Sequence, residues 1–346
     1  MAQLNVMYWN LGGLDQQRAS LAGTSYPSLV ASAIRAGDIT VAGFSGVRSG
    51  LANALGEAVV AELRGYYPHS TWIHSASPPL GQGRDEQYLI IWDGSRAGAY
   101  KPPGYEYWLW QYPAPNPLDG LLGFPRPESM SPDLPPFTMF FKLGSSGKWM
   151  PMSVLHAPTW PDAWQNGAEI TRAMANLTRV EAFDVGDGAL LMGSFNVPAD
   201  DDVGTPGSNG ALAFGRLAGP NGKYDQAMHG HRTALGPPIV ATTDSQSYVQ
   251  TSDNFFVRRN SSQRGITVSA PGILGVISGS LGRLDAQGTW QPAPFRPALA
   301  NVEARSVGDD KVTAGADGSY DRFDDAFAAY RLYVSDHAPI AITINY

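Results

Sequence analysis

Short apolar segments that end in glycine, proline or small polar residues are the feature that most constrains the fold of this chain. Their lengths and spacing predict strands at 4–11, 39–47, 86–93, 137–143, 149–157, 188–196, 253–259 and 338–346. Helical spacing of apolar residues predicts helices at 26–36, 51–66 and 166–183. Because 39 Gly and 27 Pro residues are spread along the chain, the pattern favours an all-β or α+β protein with many turns.

The length and hydrophobic content of the chain predict one globular unit. A chain of 346 residues that is 43% hydrophobic can bury a large core. Two segments, 100–136 and 260–318, are typical of insertions: the first is rich in proline and aromatic residues, and the second has weak periodicity. No internal repeat is visible. We therefore expect a single domain spanning residues 1–346, with these two insertions.

Charge and composition narrow the set of partners. The net charge is −7 and no run of Lys or Arg is present, so nucleic acid is not expected as a partner. The absence of cysteine excludes disulfides, thiolate metal sites and thiolate nucleophiles. No window of about 18 apolar residues exists, and the N-terminus lacks the pattern of a signal peptide. We expect no membrane partner and a cytoplasmic location.

Polar side chains follow several of the predicted strands, at the point where each strand ends. Asn10, His156 and Asn196 come at the ends of three strands, and Asp336 and His337 directly precede the last strand. Any one of them could be an ordinary hydrogen-bonded residue at a strand end. Together they predict an active site at one edge of a sandwich of sheets.

The ordered motifs that carry these residues resemble the endonuclease/exonuclease/phosphatase superfamily, with deoxyribonuclease I closest in pattern. In chain order they are YWNLGG, DEQYLIIW, VLHAP, GSFNVP, SDNFFVRR and VSDHAPI, and they run over nearly the whole chain. FPRPE, within the first insertion, adds to the likeness. The resemblance implies an α+β fold, a four-layer α/β/β/α sandwich, and Mg²⁺-dependent hydrolysis of phosphoesters.

The resemblance also implies a role for each matching residue. His337 would be the base that activates water in a histidine–aspartate pair, and Glu86 would orient His156 near the leaving group. The other matching residues would lie around the phosphate and the metal or bind the substrate: Asn10, Asn196, Asp336, Asp253 and Arg126. Histidine suits proton transfer near neutral pH, whereas Mg²⁺ needs carboxylate oxygens.

The sequence departs from the family pattern where the metal should bind. The family has Gln-Glu where this chain has Ser45-Gly46, and it has an aspartate in place of Ser194. Both metal-binding carboxylates are therefore missing, and natural divergence explains the pair of changes better than deliberate inactivation. We expect no cofactor, with Mg²⁺ possible only if the site is rebuilt, for example by Asp200–Asp202. Ser194 is then expected to contact the substrate.

Two other patterns have competing interpretations. YEYWLWQY at 105–112 alternates, so Trp108 and Trp110 share one face; they either pack in a strand or line a pocket for an apolar ligand. His229 and His231 could bind a metal on one strand face, but no third ligand lies at suitable spacing. A surface loop explains this second pair better.

Three functions remain open. The first is a metal-dependent phosphodiesterase or nuclease with a rebuilt ligand shell. The second is an enzyme that uses His156, His337, Asp336 and Glu86 for metal-independent acid–base chemistry on a small organic substrate. The third is a catalytically inactive protein that binds a partner in the same cleft. The sequence favours the second, because the acid–base residues are kept while the metal ligands are lost.

Overall fold

A computed structural model describes residues 2–15, 25–79, 86–101, 109–111, 136–157, 186–195, 214–215, 217–228, 233–235, 248–250, 253–274, 282–284, 290–292, 335 and 337–346. The first half contains β1 (Gln3–Leu14), α1 (Ser25–Ala36), β2 (Ile39–Arg48), α2 (Ala52–Tyr66), β3 (Trp72–Ala76), β4 (Glu86–Asp93), β5 (Ala97–Ala99), β6 (Leu109–Gln111), β7 (Phe137–Leu143) and β8 (Trp149–His156). The second half contains β9 (Leu190–Ser194), β10 (Tyr224–Gln226), β11 (Ala234–Leu235), β12 (Tyr248–Gln250), β13 (Asp253–Arg258), a 3₁₀ helix (Arg259–Arg264), β14 (Thr267–Ile273), β15 (Gly282–Leu284), β16 (Trp290–Pro292) and β17 (Ile340–Asn345).

Two mixed sheets contain most of these strands. The first has six strands in the order β14-β17-β1-β2-β4-β3, and the second has seven, in the order β10-β13-β9-β8-β7-β5 with β6 also paired to β7. Each sheet has one parallel pair at its centre, β1 with β2 and β8 with β9, and the other pairs are antiparallel. Two short hairpins, β11-β12 and β15-β16, lie outside the sheets.

Alternation along the central strand β1 explains why the sheets and helices form layers. Side chains two residues apart point to the same face of a strand. Leu4, Val6 and Tyr8 therefore pack into the core between the two sheets, whereas Met7 and Trp9 pack on the opposite face. That opposite face is covered by apolar side chains from both helices, including Leu29, Val30 and Ile34 of α1 and Leu55, Val59 and Leu63 of α2.

The two sheets approach each other closely where a glycine interrupts β2. A Cβ atom on Gly43 would lie 2.7 Å from Met192 Cε and 2.8 Å from Val154 Cγ2 of the opposite sheet. Any larger residue would push these side chains apart. The strand ends that carry the polar residues are thereby held within reach of one another.

The α+β sandwich predicted from the sequence is confirmed, with helix, sheet and sheet as the layers described. The helix predicted at 166–183, which would supply the fourth layer, lies outside the described residues. Part of the predicted insertion at 260–318 belongs to the sandwich, because β14 is the edge strand of the first sheet. Among the described residues, no helix is both long and apolar enough to cross a membrane.

Candidate active site

Polar residues of both sheets, at or near the ends of their strands, meet at one edge of the sandwich. In the first sheet, Asn10 lies beside Ser45 across the parallel β1-β2 pair, and Glu86 begins the neighbouring β4. In the second sheet, Ser194 at the end of β9 lies between His156 of β8 and Asp253 of β13. Hydrogen bonds between these groups define a single site.

Glu86 and His156 form the first histidine–carboxylate pair. His156 Nδ1 lies 2.7 Å from Glu86 Oε1, and because an ionised carboxylate only accepts, the ring donates this hydrogen bond. Glu86 Oε1 also accepts the Gly46 backbone N–H at 2.7 Å. His156 Nε2 is left as the ring atom that faces Asn10 Nδ2, at 3.4 Å.

Asp253 and His337 form the second pair. His337 Nδ1 donates to Asp253 Oδ2 at 2.8 Å, and the Asp253 side chain is fully buried whereas that of His337 is 8% exposed. Asp253 was predicted to be a substrate-binding residue. Its burial and its contact with His337 make it the residue that orients this histidine. Asp336, which was expected to lie around the phosphate and the metal and to take part in the acid–base chemistry, lies outside the described residues.

Backbone hydrogen bonds fix the second pair in place. The Asp253 N–H donates to Thr233 Oγ1 at 3.0 Å, and the His337 N–H donates to Ser335 Oγ at 2.9 Å. The Trp9 indole donates to the His337 carbonyl at 3.0 Å, which ties this segment to β1. This bond fixes His337 to β1, the strand that also carries Asn10.

Asn10 connects the two pairs. Its Oδ1 accepts the Gly12 N–H at 3.0 Å, which directs Nδ2 toward His156. Its backbone carbonyl accepts the Ser335 hydroxyl at 2.5 Å, and Ser335 in turn holds His337. Asn10, which was predicted to lie near the phosphate and the metal, thus contacts His156 directly and is linked to His337 through Ser335.

Position 46, where the resemblance implies a metal-binding carboxylate, has no room for a side chain. Gly46 has φ of +69°, and a Cβ there would overlap Asn10 Oδ1 and lie 2.9 Å from the Gly12 nitrogen and 3.0 Å from the Gly13 nitrogen. Both the backbone conformation and the neighbouring atoms therefore require glycine. The glycine at this position fits the local shape of β2, which has a register irregularity between Phe44 and Val47.

At the second position where the resemblance implies a carboxylate, Ser194 lies in a strand of ordinary geometry. It is fully buried, and its N–H donates to the Tyr8 hydroxyl at 2.8 Å. The same hydroxyl lies 2.5 Å from Ser45 Oγ. Ser194 is therefore a buried residue at the base of the site. Its predicted contact with the substrate remains a prediction.

Two buried tyrosines of the first sheet contact the strand ends of the second sheet. Besides the bond from Ser194 to Tyr8, the His156 N–H donates to the Tyr88 hydroxyl at 3.0 Å. Burial raises the pKa of both phenols, with nearby carboxylates adding to the effect, so both hydroxyls stay protonated. Sequence reasoning missed them, because a tyrosine within an apolar strand has the pattern of a core residue.

The described residues do not fit the Mg²⁺ that the resemblance implies. Glu86 is occupied by His156 and Gly46, Asp253 is buried against His337, and position 46 is closed by Asn10. Within the described ranges, no three His, Asp or Glu side chains are grouped as a metal site would need. Asp200–Asp202, His229 and His231 lie outside these ranges.

Four other predicted site residues have no described position or side chain. Asn196, Arg126 and Trp108 lie outside the described residues. Trp110 lies in β6, paired with Thr138 of β7, so this part of the first insertion joins the second sheet. The predicted aromatic pocket therefore remains a prediction.

The two sandwiched sheets and this arrangement of strand ends give the chain the fold of the endonuclease/exonuclease/phosphatase proteins, as the sequence predicted. A family protein of that name from Bacteroides thetaiotaomicron superposes with a TM-score of 0.54 at 14% identity, over 99% of this chain and 97% of that one. A mannosyl-6-phosphatase from the same organism gives 0.52 at 15% identity, over 99% and 100%.

A third solved structure, D. rerio TDP2 complexed with a single-strand DNA product, gives a TM-score of 0.54 at 11% identity over the full length of both chains. No protein-family model matches this chain, and no curated protein matches it. At these identities, the likeness defines the fold.

Proposed function

We propose that this protein is a diverged member of the endonuclease/exonuclease/phosphatase superfamily that performs metal-independent acid–base chemistry on a small organic substrate. The observation that carries the proposal is a contrast within the site. Both histidine–carboxylate pairs are formed at hydrogen-bond distance, whereas position 46, where the resemblance implies a metal ligand, is closed by Asn10 and by its positive φ. A cytoplasmic location, expected from the sequence, is part of the proposal.

The chemistry follows from the way each pair is oriented. Each carboxylate accepts from Nδ1, so Nε2 is the atom that can exchange a proton with a substrate. The carboxylate stabilises the imidazolium that forms when Nε2 takes up a proton. One histidine can then act as the base and the other as the acid, and each positioned group typically contributes about 10²–10⁴-fold to a rate.

The charge of the site supports a small substrate better than a phosphate-rich polymer. Two carboxylates lie in the site, the chain carries a net charge of −7, and the described residues hold no cation bonded into the site other than the histidines when protonated. Arg126, expected to contact phosphate, remains part of the proposal as a substrate-binding residue. So do Asn196, Asp336, Trp108 and Trp110.

The products that the protein forms in a metabolite extract test the proposal directly. The protein is treated with EDTA and incubated with extracts, and products are compared by mass spectrometry with those of His156→Ala and His337→Ala. We expect a product that forms in EDTA and requires both histidines. Replacing the exposed His69 by alanine gives the matched control, which should keep full activity.

A Mg²⁺-dependent phosphodiesterase is the second candidate, favoured by the fold shared with a mannosyl-6-phosphatase and with a DNA-bound TDP2. Hydrolysis of bis(p-nitrophenyl) phosphate distinguishes the two. Turnover that requires Mg²⁺ and disappears in His337→Ala would overturn metal-independent chemistry. If both histidine variants instead retain the biological role of the protein, the site serves binding alone.

A further inference from the structure

The hydroxyl group of Tyr8 lies between the two positions at which the resemblance requires metal-binding groups. Tyr8 is fully buried between the sheets, and its ring belongs to the core that joins them. Its oxygen accepts the Ser194 N–H at 2.8 Å and lies 2.5 Å from Ser45 Oγ. One atom therefore bonds to the end of β9 in the second sheet and to Ser45 of β2 in the first.

Each of these two contacts leads directly to a histidine–carboxylate pair. Ser45 precedes Gly46, whose N–H donates to Glu86 of the first pair. Ser194 lies in register with His156 of the first pair on one side and with Asp253 of the second pair on the other. Through Ser194, a single residue therefore separates the Tyr8 oxygen from each of the two pairs.

We propose that Tyr8 is a positioning residue whose hydroxyl fixes the distance between Ser45 of β2 and Ser194 at the end of β9, and through them the distance between the two histidine–carboxylate pairs. A cation bound by carboxylates beside these two positions would hold the two strands together by charge. In this chain a neutral hydroxyl links the same strands by hydrogen bonds. The inference rests on the proposed function, because it assigns a role within metal-independent chemistry.

The chemistry of a phenol suits this task. A tyrosine hydroxyl has one proton to donate and two lone pairs, so it can accept from Ser194 and donate to Ser45 at the same time. The raised pKa of the phenol keeps that proton in place over the range in which histidines titrate. A buried, satisfied network of this kind rigidifies the groups bonded to it.

Tyr88 provides the comparison that makes the role of Tyr8 specific. Its hydroxyl is equally buried, but among the described residues it accepts only from the His156 N–H, and its ring stacks on Phe137. Loss of this hydroxyl should therefore disturb one histidine. Loss of the Tyr8 hydroxyl should disturb both.

The test uses Tyr8→Phe, which removes a single oxygen, and follows the imidazole ¹⁵N and ¹H resonances of His156 and His337 in EDTA. We expect Tyr8→Phe to shift the resonances of both histidines, Tyr88→Phe to shift those of His156 alone, and Tyr100→Phe to shift neither. Tyr100 is the matched control because its ring packs on Trp149, at the end of β8 remote from His156. The turnover found in EDTA should fall at least five-fold in Tyr8→Phe.

Unchanged histidine resonances in Tyr8→Phe, or equal shifts in Tyr100→Phe, would overturn the inference. If Tyr8→Phe does not fold, Ser45→Ala removes the other end of the same hydrogen bond and should shift both histidines in the same direction; no shift there would count against it equally. The resonances require no substrate. Failure of this inference is therefore distinct from failure of the proposed function, which would appear as Mg²⁺-dependent hydrolysis.

Discussion

The two histidine–carboxylate pairs of the site differ in how they are enclosed. The Asp253–His337 pair is sealed, with a fully buried carboxylate and backbone bonds to Thr233 and Ser335. The Glu86–His156 pair is more open, at 10% and 13% exposure, and its carboxylate also holds the Gly46 N–H. The open pair is bonded to the backbone at Gly46, whereas the sealed pair is held by bonds that involve Thr233 and Ser335.

The largest expected effect is on the sealed pair. His337→Ala leaves the Asp253 carboxylate buried without its partner, which should lower the free energy of unfolding by roughly 3–5 kcal/mol. Chemical denaturation in urea measures the change. His337→Asn should recover part of the loss, because its side-chain amide can donate from near the position of Nδ1.

His69→Ala is the control for this comparison, since His69 is exposed and its replacement should change stability by less than about 0.5 kcal/mol. A loss for His337→Ala as small as that of the control would mean that the sealed pair contributes nothing to folding.

An intermediate effect is expected at the residue that joins the open pair to β2. Gly46→Ala places a Cβ against Asn10 Oδ1 at a φ that L-residues rarely adopt, and should cost about 1–3 kcal/mol of unfolding free energy. The same substitution should shift the imidazole signals of His156 more than those of His337, because the Gly46 N–H bonds to Glu86, the carboxylate partner of His156.

Gly50→Ala gives the matched control, since Gly50 also has positive φ but no atom within 4 Å of an added Cβ. If the two alanine variants lose the same stability and leave His156 unchanged, the crowding at position 46 has no part in the site.

The smallest effect is expected at the open histidine itself. His156→Ala removes one hydrogen bond from a carboxylate that retains the Gly46 N–H and some contact with solvent, so the loss should be about 1 kcal/mol. Urea denaturation again provides the measurement. A loss as large as that of His337→Ala would erase the proposed difference between the pairs.

Much of the framework could be predicted from the sequence. The strands at 86–93 and 137–143 have the predicted bounds, because alternating or continuous apolar runs bounded by turn residues are a strong local signal. The edge strand β14 was not predicted: Pro271 and Gly272 break its pattern, and it pairs with β17 through an irregular register.

The site was predictable in its residue types but not in its bonding. Strand ends indicated His156, His337 and Asn10, whereas the partnership of Asp253 with His337 depends on long-range packing. The closure at Gly46 is a matter of backbone φ, which one glycine in a sequence does not reveal. The Tyr8 hydroxyl was hidden for a similar reason, since periodicity reports burial and says nothing about the single polar atom of a buried ring.

One measurement tests the central claim most directly: a titration with Mn²⁺ followed through the imidazole signals of the histidines. The metal-independent site predicts that His156 and His337, whose Nδ1 atoms are bonded to carboxylates, broaden no more than the exposed His69. Selective broadening of His156 and His337 at concentrations that leave His69 sharp would contradict it, because a paramagnetic cation would then occupy the cleft.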